Sequence, residues 1–280
     1  MNKINSVHAL YYVIFAASIT VCIVFGITVT ASAESNTGKI ELGKWTINDL
    51  NAMMIQASTI NDFGERIDFV SGKFLGTPYV GHTLIGDINT PEVFTIDLKG
   101  MDCFTYIDYV EALSLSDSFP EFKDKLKNIR YKGGSVAFQN RNHFFSDWPV
   151  YNKNKIEDVT GEIGGDKTEE TVKHLNRKSD GTYYLPGIPV VERTITYIPS
   201  PEVDEDVIGK MENGDYVGIY TDIDGLDVTH TGIIIKNDSG VYLRHASSKK
   251  ANERVVDEDL RTYIQNVPGL VIYRTVGKES

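Results

Sequence analysis

Cysteine is almost missing from this 280-residue chain, which carries two, Cys22 and Cys103. That scarcity excludes a disulfide-stapled scaffold and a Cys-rich zinc site. No C-x-x-C or H-x-x-x-H pair is present to seed metal binding. Positive charge is also in deficit, with 28 Lys and Arg against 39 Asp and Glu and a net charge of −11. Nucleic acid and anionic membrane surfaces are therefore poor partners. Internal repeats and low-complexity tracts are absent, so neither a repeat array nor a biased disordered segment is expected. Long apolar runs are confined to one place, the N-terminus.

That run lies within residues 1–33. A single charge, Lys3, precedes an apolar stretch from Ala9 to Val29, and Thr30-Ala31-Ser32-Ala33 ends it. A short basic region, an apolar core and an A-x-A end describe a secretory signal peptide, which predicts an exported protein, periplasmic or extracellular. The stretch is also long enough to span a bilayer, so an uncleaved anchor is the alternative. Val21 stands before Cys22 where a lipoprotein signal needs a small residue, which argues against a lipid anchor. After cleavage no stable membrane insertion is expected, and Cys103 is left without an intrachain partner.

What remains is ample for one core: 41% of the chain is hydrophobic and 10% aromatic. Residues 34–44 read as a flexible lead, and 45–280 as one domain. Leu50, Met54, Ala57 and Ile60 predict a first amphipathic helix, with Thr46 or Asn48 as its cap. Phe63, Ile67, Val70 and Phe74 predict a second, stopped by Gly76-Thr77-Pro78. A third starts near Asp102 with Phe104, Ile107, Val110 and Leu113 as its stripe, and Pro120 opens a fourth. Residues 151–181 are the most polar and read as an excursion containing a short helix over Glu169–Leu175. Strands are expected at Arg193–Ile198, Tyr216–Tyr220, Thr231–Lys236, Gly240–Arg244 and Leu270–Thr275, with a helix at Asp257–Ile264. Helices first and strands second give an α+β class.

Cys103 follows Gly100-Met101-Asp102, a glycine turn and a capping Asp, so its thiol falls in the first turn of the third helix. Free backbone N–H groups and the positive end of the helix dipole lie there and favour a thiolate, the reactive form. The plain alternative is a small buried hydrophobe. Downstream, His230 opens a strand and His245 lies on the next, and the turn Asn237-Asp238-Ser239-Gly240 joins the two as a hairpin that brings the rings together. A nucleophile at a helix start, a base on one strand and an orienting group on another is the logic of thiol catalysis. Ordinary hairpin pairing and a zinc site of Cys103, His230 and His245 are the competing readings.

The order of these residues resembles the NlpC-type superfamily of papain-like cell-wall cysteine peptidases. Gly76-Thr77-Pro78-Tyr79 looks like its G-x-P-Y, Asp102-Cys103 like its D-C, and His230-Thr231-Gly232 like its H-V-G. The usual Ser-Gly after the cysteine is Phe104-Thr105 here, and Tyr79 lies further from Cys103 than is usual in the peptidases. A narrower resemblance fits those departures, to the AmiA-like N-acetylmuramoyl-L-alanine amidase family. Its marks look like Asp102-Cys103-Phe104-Thr105-Tyr106-Ile107-Asp108, Arg141-Asn142-His143-Phe144-Phe145-Ser146-Asp147-Trp148, Gly214-Asp215-Tyr216-Val217-Gly218-Ile219, Gly225-Leu226-Asp227-Val228-Thr229-His230 and Arg244-His245-Ala246-Ser247-Ser248.

The resemblance implies a papain-like core and cleavage of the amide between the muramic lactyl group and L-alanine in small muropeptides, notably 1,6-anhydro-muropeptides. It implies Cys103, His230 and His245 as the catalytic set, with no cofactor and no metal. Tyr79, Arg141, His143, Trp148, Asp227 and Ser247 become candidate substrate contacts: Tyr79 for the oxyanion, Trp148 to stack on a sugar, Arg141 for a carboxylate or acetamido oxygen, and Ser247 lining the cleft near His245. A γ-D-glutamyl–diaminopimelate endopeptidase and a non-catalytic muropeptide-binding protein are the alternatives. The sequence does not specify an oligomeric state.

Overall fold

The computed structural model describes residues 38–276, so the signal peptide expected at 1–33 lies outside the described residues. Two capped helices begin the fold. In α1 (Ile47–Ser58), Thr46 and Asp49 form a reciprocal box: Asp49 N–H donates to Thr46 Oγ1 at 3.1 Å and Thr46 N–H donates to Asp49 Oδ2 at 2.9 Å. In α2 (Phe63–Gly72), Asp62 accepts from the Glu65 N–H. Such caps contribute about 1 kcal/mol each. Of the lead expected over 34–44, Lys39–Glu41 is instead a strand, β1, paired in parallel with β2 (Thr95–Asp97) through Ile40 and Ile96. Backbone pairing, which composition does not reveal, orders it.

Helix α3 (Cys103–Ser114) is the centre of the helical layer. From Thr105 onward every residue is buried, because α1, α2, α4 (Phe119–Arg130) and the sheet surround it. Of the expected stripe Ile107, Val110 and Leu113 are fully buried and Phe104 partly so, but the polar face is covered too. Asp108 is therefore paired with buried Arg130 at 2.8 Å, and Arg130 Nη1 donates to the Thr95 carbonyl at 2.6 Å. Removing one partner of such a pair costs roughly 3–5 kcal/mol.

The remaining elements are α5 (Asp147–Tyr151), β3 (Ile156–Asp158), α6 (Thr160–Gly164), β4 (Glu169–Leu175), β5 (Val191–Pro199), α7 (Glu205–Lys210), β6 (Tyr216–Tyr220), β7 (Val228–Asn237), β8 (Gly240–Ser247), β9 (Arg254–Asp259), α8 (Leu260–Ile264) and β10 (Gly269–Thr275). Eight strands make one sheet in the order β4-β5-β10-β6-β7-β8-β9, with β3 on the far end of β10 beyond β5. Every pairing in it is antiparallel. The class is α+β. Tyr216, Tyr220, Ile233, Ile235, Val271 and Tyr273 point to the α1–α4 core, and their neighbours Val217, Ile219, Ile234, Leu270 and Ile272 point to a second core under α6, α7 and α8. Central strands buried on both faces read as continuous apolar runs.

Two further expectations need correction. Glu169–Leu175 is strand and not helix, hydrogen-bonded along its length to β5, and Ile156–Asp158 pairs with β10. The polar stretch 151–181 is thus partly built into the sheet. The helix expected over Asp257–Ile264 begins only at Leu260. Asp257 and Glu258 belong to β9, and Asp259 caps the helix by accepting from the Thr262 N–H at 2.8 Å.

Burying α3 all round leaves Glu111 inside the core, where Oε2 accepts from Tyr216 and Thr275 hydroxyls, each at 2.9 Å. Burial pushes its carboxyl up from 4.5 to about 7. A pKa raised in the folded state gives stability that is complete below the unfolded value and is lost as pH rises through about 7. Glu111→Gln keeps an acceptor but cannot ionise. Its melting temperature is expected to match the wild type at pH 5 and to exceed it at pH 8, since each tenfold difference in proton affinity between the folded and unfolded chain is worth about 1.4 kcal/mol. Equal differences at both pH values, by calorimetry, would contradict a proton held in the core.

Candidate active site

Asp102 makes the start of α3. Its Oδ1 accepts from the Phe104 N–H at 3.1 Å and the Thr105 N–H at 2.7 Å, and its own N–H donates to Thr105 Oγ1 at 3.0 Å. Cys103 is the first helical residue, partly exposed and unbridged. Two anchors hold this helix end. Thr231 Oγ1 donates to the Cys103 carbonyl at 2.9 Å, joining α3 to the residue after His230. Residues 76–79 bridge β9 and Met101: Gly76 N–H donates to Val255 O at 2.9 Å, Tyr79 N–H to Glu253 O at 2.8 Å, and Met101 N–H to Pro78 O at 3.1 Å. This crossing brings Tyr79 to the helix start, where burial, Cys103 and Asp102 all raise its phenol.

His230 and His245 are brought together. His230 Nε2 lies 2.6 Å from His245 Nδ1, with ring planes at 88°. The β7–β8 register pairs Ile233 with Arg244. A bulge in the β6–β7 pairing kinks the strand beside His230. Gly232 explains the glycine two residues after His230: a Cβ there would stand 2.6 Å from Leu243 Cδ1 and 3.1 Å from His245 Cβ. A side chain at 232 would displace the second histidine.

His245 is buried and has a second partner. Its Nε2 lies 3.0 Å from Glu258 Oε1. Glu258 Oε1 also accepts from Asn252 Nδ2 at 3.1 Å, and Oε2 from Lys249 Nζ at 2.7 Å. The Tyr263 ring meets His245 edge-on at 5.3 Å. Burial, then the Glu258 and Cys103 charges, push the Tyr263 phenol up to about 12. Sequence reasoning misses Glu258 and Tyr263 because 257–264 reads as one helix. No alternation marks Glu258: Val255 and Val256 are followed by Asp257, Glu258 and Asp259, and only pairing with β8 makes the segment a strand.

The electrostatics differ from the expected thiolate. Burial, followed by the Asp102 charge, raises the Cys103 thiol to about 11, and hydrogen bonds with Thr231 only partly oppose this. Burial also lowers His230 to about 3, helped by His245 and Lys249. Between those values both groups are neutral. The helix dipole is outweighed by desolvation.

The other anticipated residues separate. Trp148 is fully buried against Phe104, Phe145 and Tyr216, so its faces meet protein and cannot receive a sugar. His143 Nε2 lies 2.8 Å from the Phe138 carbonyl, and burial lowers it to about 4. It secures a turn. Asp227 is buried, accepting from the Ser146 N–H at 2.7 Å and the Val228 N–H at 2.8 Å, so it locks α5 to the start of β7. Ser247 is fully buried, with no partner for its hydroxyl among the described residues, and so does not line an open cleft.

Arg141 does face open space. A groove of about 440 Å³ reaches Asp102 and is lined by His82, Asp87, Ile88, Arg141 and Tyr184 among others. The Arg141 guanidinium is not free in it: Nε donates to Glu92 Oε1 at 3.0 Å, Nη2 pairs with Glu92 Oε2 at 2.5 Å and reaches the Gly86 carbonyl at 3.2 Å. His82, given no role from sequence, sits in this wall with a left-handed φ of 60°. Among the described residues no three His, Cys, Asp or Glu side chains converge as metal ligands, and no helix is long and apolar enough to cross a membrane.

Residues 69–270 match the family model AmiA-like, described as N-acetylmuramoyl-L-alanine amidase-like, and the chain belongs to that family. Among solved structures, a Legionella pneumophila protein assigned to family DUF1460 is similar with a TM-score of 0.69 and 23% identity, over 82% of this chain and 94% of that one. An N-acetylmuramoyl-L-alanine amidase from Bacteroides uniformis gives 0.65 and 27%, over 77% and 99%. A putative xylanase from Bacteroides fragilis gives 0.61 and 26%, over 73% and 98%. No curated protein matches the chain.

A thiol near 11 gives a direct expectation. Alkylation of Cys103 by iodoacetamide should accelerate about tenfold per pH unit through neutrality and level off only near 11. A plateau already reached at pH 7 would mean a preformed thiolate.

Proposed function

We propose that the protein is a thiol amidase that cleaves the bond between the lactyl group of N-acetylmuramic acid and L-alanine in small muropeptides, 1,6-anhydro-muropeptides foremost. The observation that carries this reading is a histidine pair 2.6 Å apart whose first member adjoins Thr231, the residue bonded to Cys103 at the head of α3. Membership of an amidase-like family supplies the substrate class.

In this mechanism His230 uses Nδ1, because its Nε2 is taken by His245. The Cys103 thiol gives its proton to that nitrogen and the sulfur attacks the lactyl carbonyl. The Cys103 N–H, which as the first of the helix has no intrahelical acceptor, and the Tyr79 hydroxyl stabilise the oxyanion. Collapse breaks the C–N bond, His230 returns the proton to the amine of L-alanine, and a thioester remains. Water, deprotonated by His230, cleaves it to the lactyl carboxylate and the free thiol. A resting pair that is neutral on both sides makes proton transfer part of the attack.

The groove beside Asp102 holds the muropeptide, with Arg141 and Tyr184 in its walls. Export directed by residues 1–33 brings the enzyme to wall fragments outside the cytoplasm. A glycosidase, the activity in the Bacteroides fragilis protein's name, needs two facing carboxylates with one kept protonated. Asp87 and Asp102 each accept backbone N–H groups of their own turns, and those bonds hold Asp87 below the usual carboxylate range.

Mass spectrometry of digests of a defined anhydro-muropeptide tests the reading. Release of the sugar moiety and a whole stem peptide is expected, with no loss of rate after chelation. Cys103→Ala should remove activity while its circular dichroism stays native. A shortened stem still joined to sugar would instead identify an endopeptidase, and an active Cys103→Ala protein would eliminate the thiol mechanism.

A further inference from the structure

A carboxylate can only accept hydrogen bonds. Glu258 is held ionised: burial resists, but Lys249 and His245 outweigh it and keep the carboxyl below its ordinary range. His245 Nε2, 3.0 Å away, must then carry a proton and donate it. A neutral imidazole has one N–H, and burial lowers the pKa of His245 despite the nearby carboxylate. Its Nδ1 is therefore bare and accepts from His230 Nε2 at 2.6 Å. His230, also neutral, has its proton on Nε2 and a lone pair on Nδ1.

We propose that Glu258 is a positioning residue which, through His245, sets the tautomer of His230 and so leaves Nδ1 free to act as base. The inference rests on the thiol mechanism above, but concerns a residue two hydrogen bonds removed from the base. Its own geometry is fixed on three sides. Asn252 and Lys249 hold the two oxygens, and the β8–β9 register places Glu258 opposite Leu243, diagonal to His245 on the same face. Tyr263 closes on the His245 ring, with Lys249 Nζ 4.4 Å above the Tyr263 ring. Without the carboxylate, the opposite order is open: His245 Nδ1–H donating to His230 Nε2, which puts the His230 proton on Nδ1 and removes the base.

Two variants test this in the full chain. Glu258→Ala removes the acceptor, and Glu258→Gln can turn an NH₂ donor toward His245. Two-bond ¹H–¹⁵N correlation at neutral pH reads both imidazoles without substrate. In the wild type His245 and His230 are expected to be Nε2–H tautomers. In at least one variant Nδ1–H forms should appear, with kcat on the muropeptide down by roughly 10–100-fold and KM nearly unchanged. Alkylation of Cys103 at neutral pH should slow in parallel. An Nδ1–H His245 in the wild type overturns the proposal. So does lost kcat with unchanged tautomers in both variants, which is a structural effect, or an altered tautomer with unchanged kcat and alkylation. If no muropeptide is cleaved even by the wild type, the functional reading fails, and the tautomer and alkylation data still decide the role of Glu258.

Discussion

Two neutral imidazoles 2.6 Å apart share one proton between them, and the site is arranged around where that proton sits. The pair by itself is symmetric in chemistry, since either ring can donate. Asymmetry comes from the far nitrogen of His245, which meets a carboxylate with both oxygens engaged. Next to His230 in β7, Thr231 bonds the helix start that carries Cys103, the only cysteine beyond residues 1–33. The proposed ordering is electrostatic and is favoured because the His245 ring is removed from bulk water, where competing donors would scramble it.

Desolvation has a second consequence at the thiol. The head of a helix normally lowers a cysteine pKa, yet here burial and the Asp102 charge leave it near 11. Asp102 is the cap, so the charge that steadies the helix start also opposes the thiolate. The result is a thiol and an imidazole that are both neutral at rest. A thiol kept protonated is a poor target for oxidants, which suits a lone cysteine that is partly exposed. In the proposed mechanism its reactivity depends on His230 having a free lone pair at the right nitrogen, and this ties the value of the helix end to the order of protons in the sheet.

Much of this is legible from residues alone, and the failures have a common cause. The starts of α1 and α3 are written locally, as Thr46 with Asp49 and Asp102 with Thr105, and β6 lies where its apolar run puts it. Element β4 reads as helix because Glu169–Leu175 lies at the sheet edge with much of it exposed, so its charges alternate without an apolar face and only pairing with β5 makes it a strand. Glu258 is hidden by the same effect in β9. Trp148 misleads in the other direction: a motif shared with a family says that a residue matters, not whether it faces solvent, and this one fills the core beneath Phe104. Lone polar positions behave likewise, for Asp227 and His143 are engaged by backbone groups of neighbouring turns.

The histidines and Glu258 sit on consecutive strands, which makes register the constraint that links fold to chemistry. Side chains alternate across a sheet, so a slip of one residue in β7–β8 would turn His245 to the face that Arg244 and Ala246 occupy. The Asn237–Gly240 pairing at the hairpin end prevents that slip. Gly232 reinforces it, because the hole left by its missing Cβ is filled by Leu243 and the backbone that carries His245 in this register. Arg244 does the same from the opposite face, anchored to Asp68 of α2 at 2.6 Å and to Asp257 of β9 at 2.7 Å. Arg244 and His245 are adjacent in sequence and point to opposite sides, so an ion pair in the helical layer holds the strand that presents the imidazole. The residue that secures β8 to α2 and the residue that presents its ring to His230 are thus two consequences of one alternation, and the same alternation in β9 sets Asp257 toward the first and Glu258 toward the second.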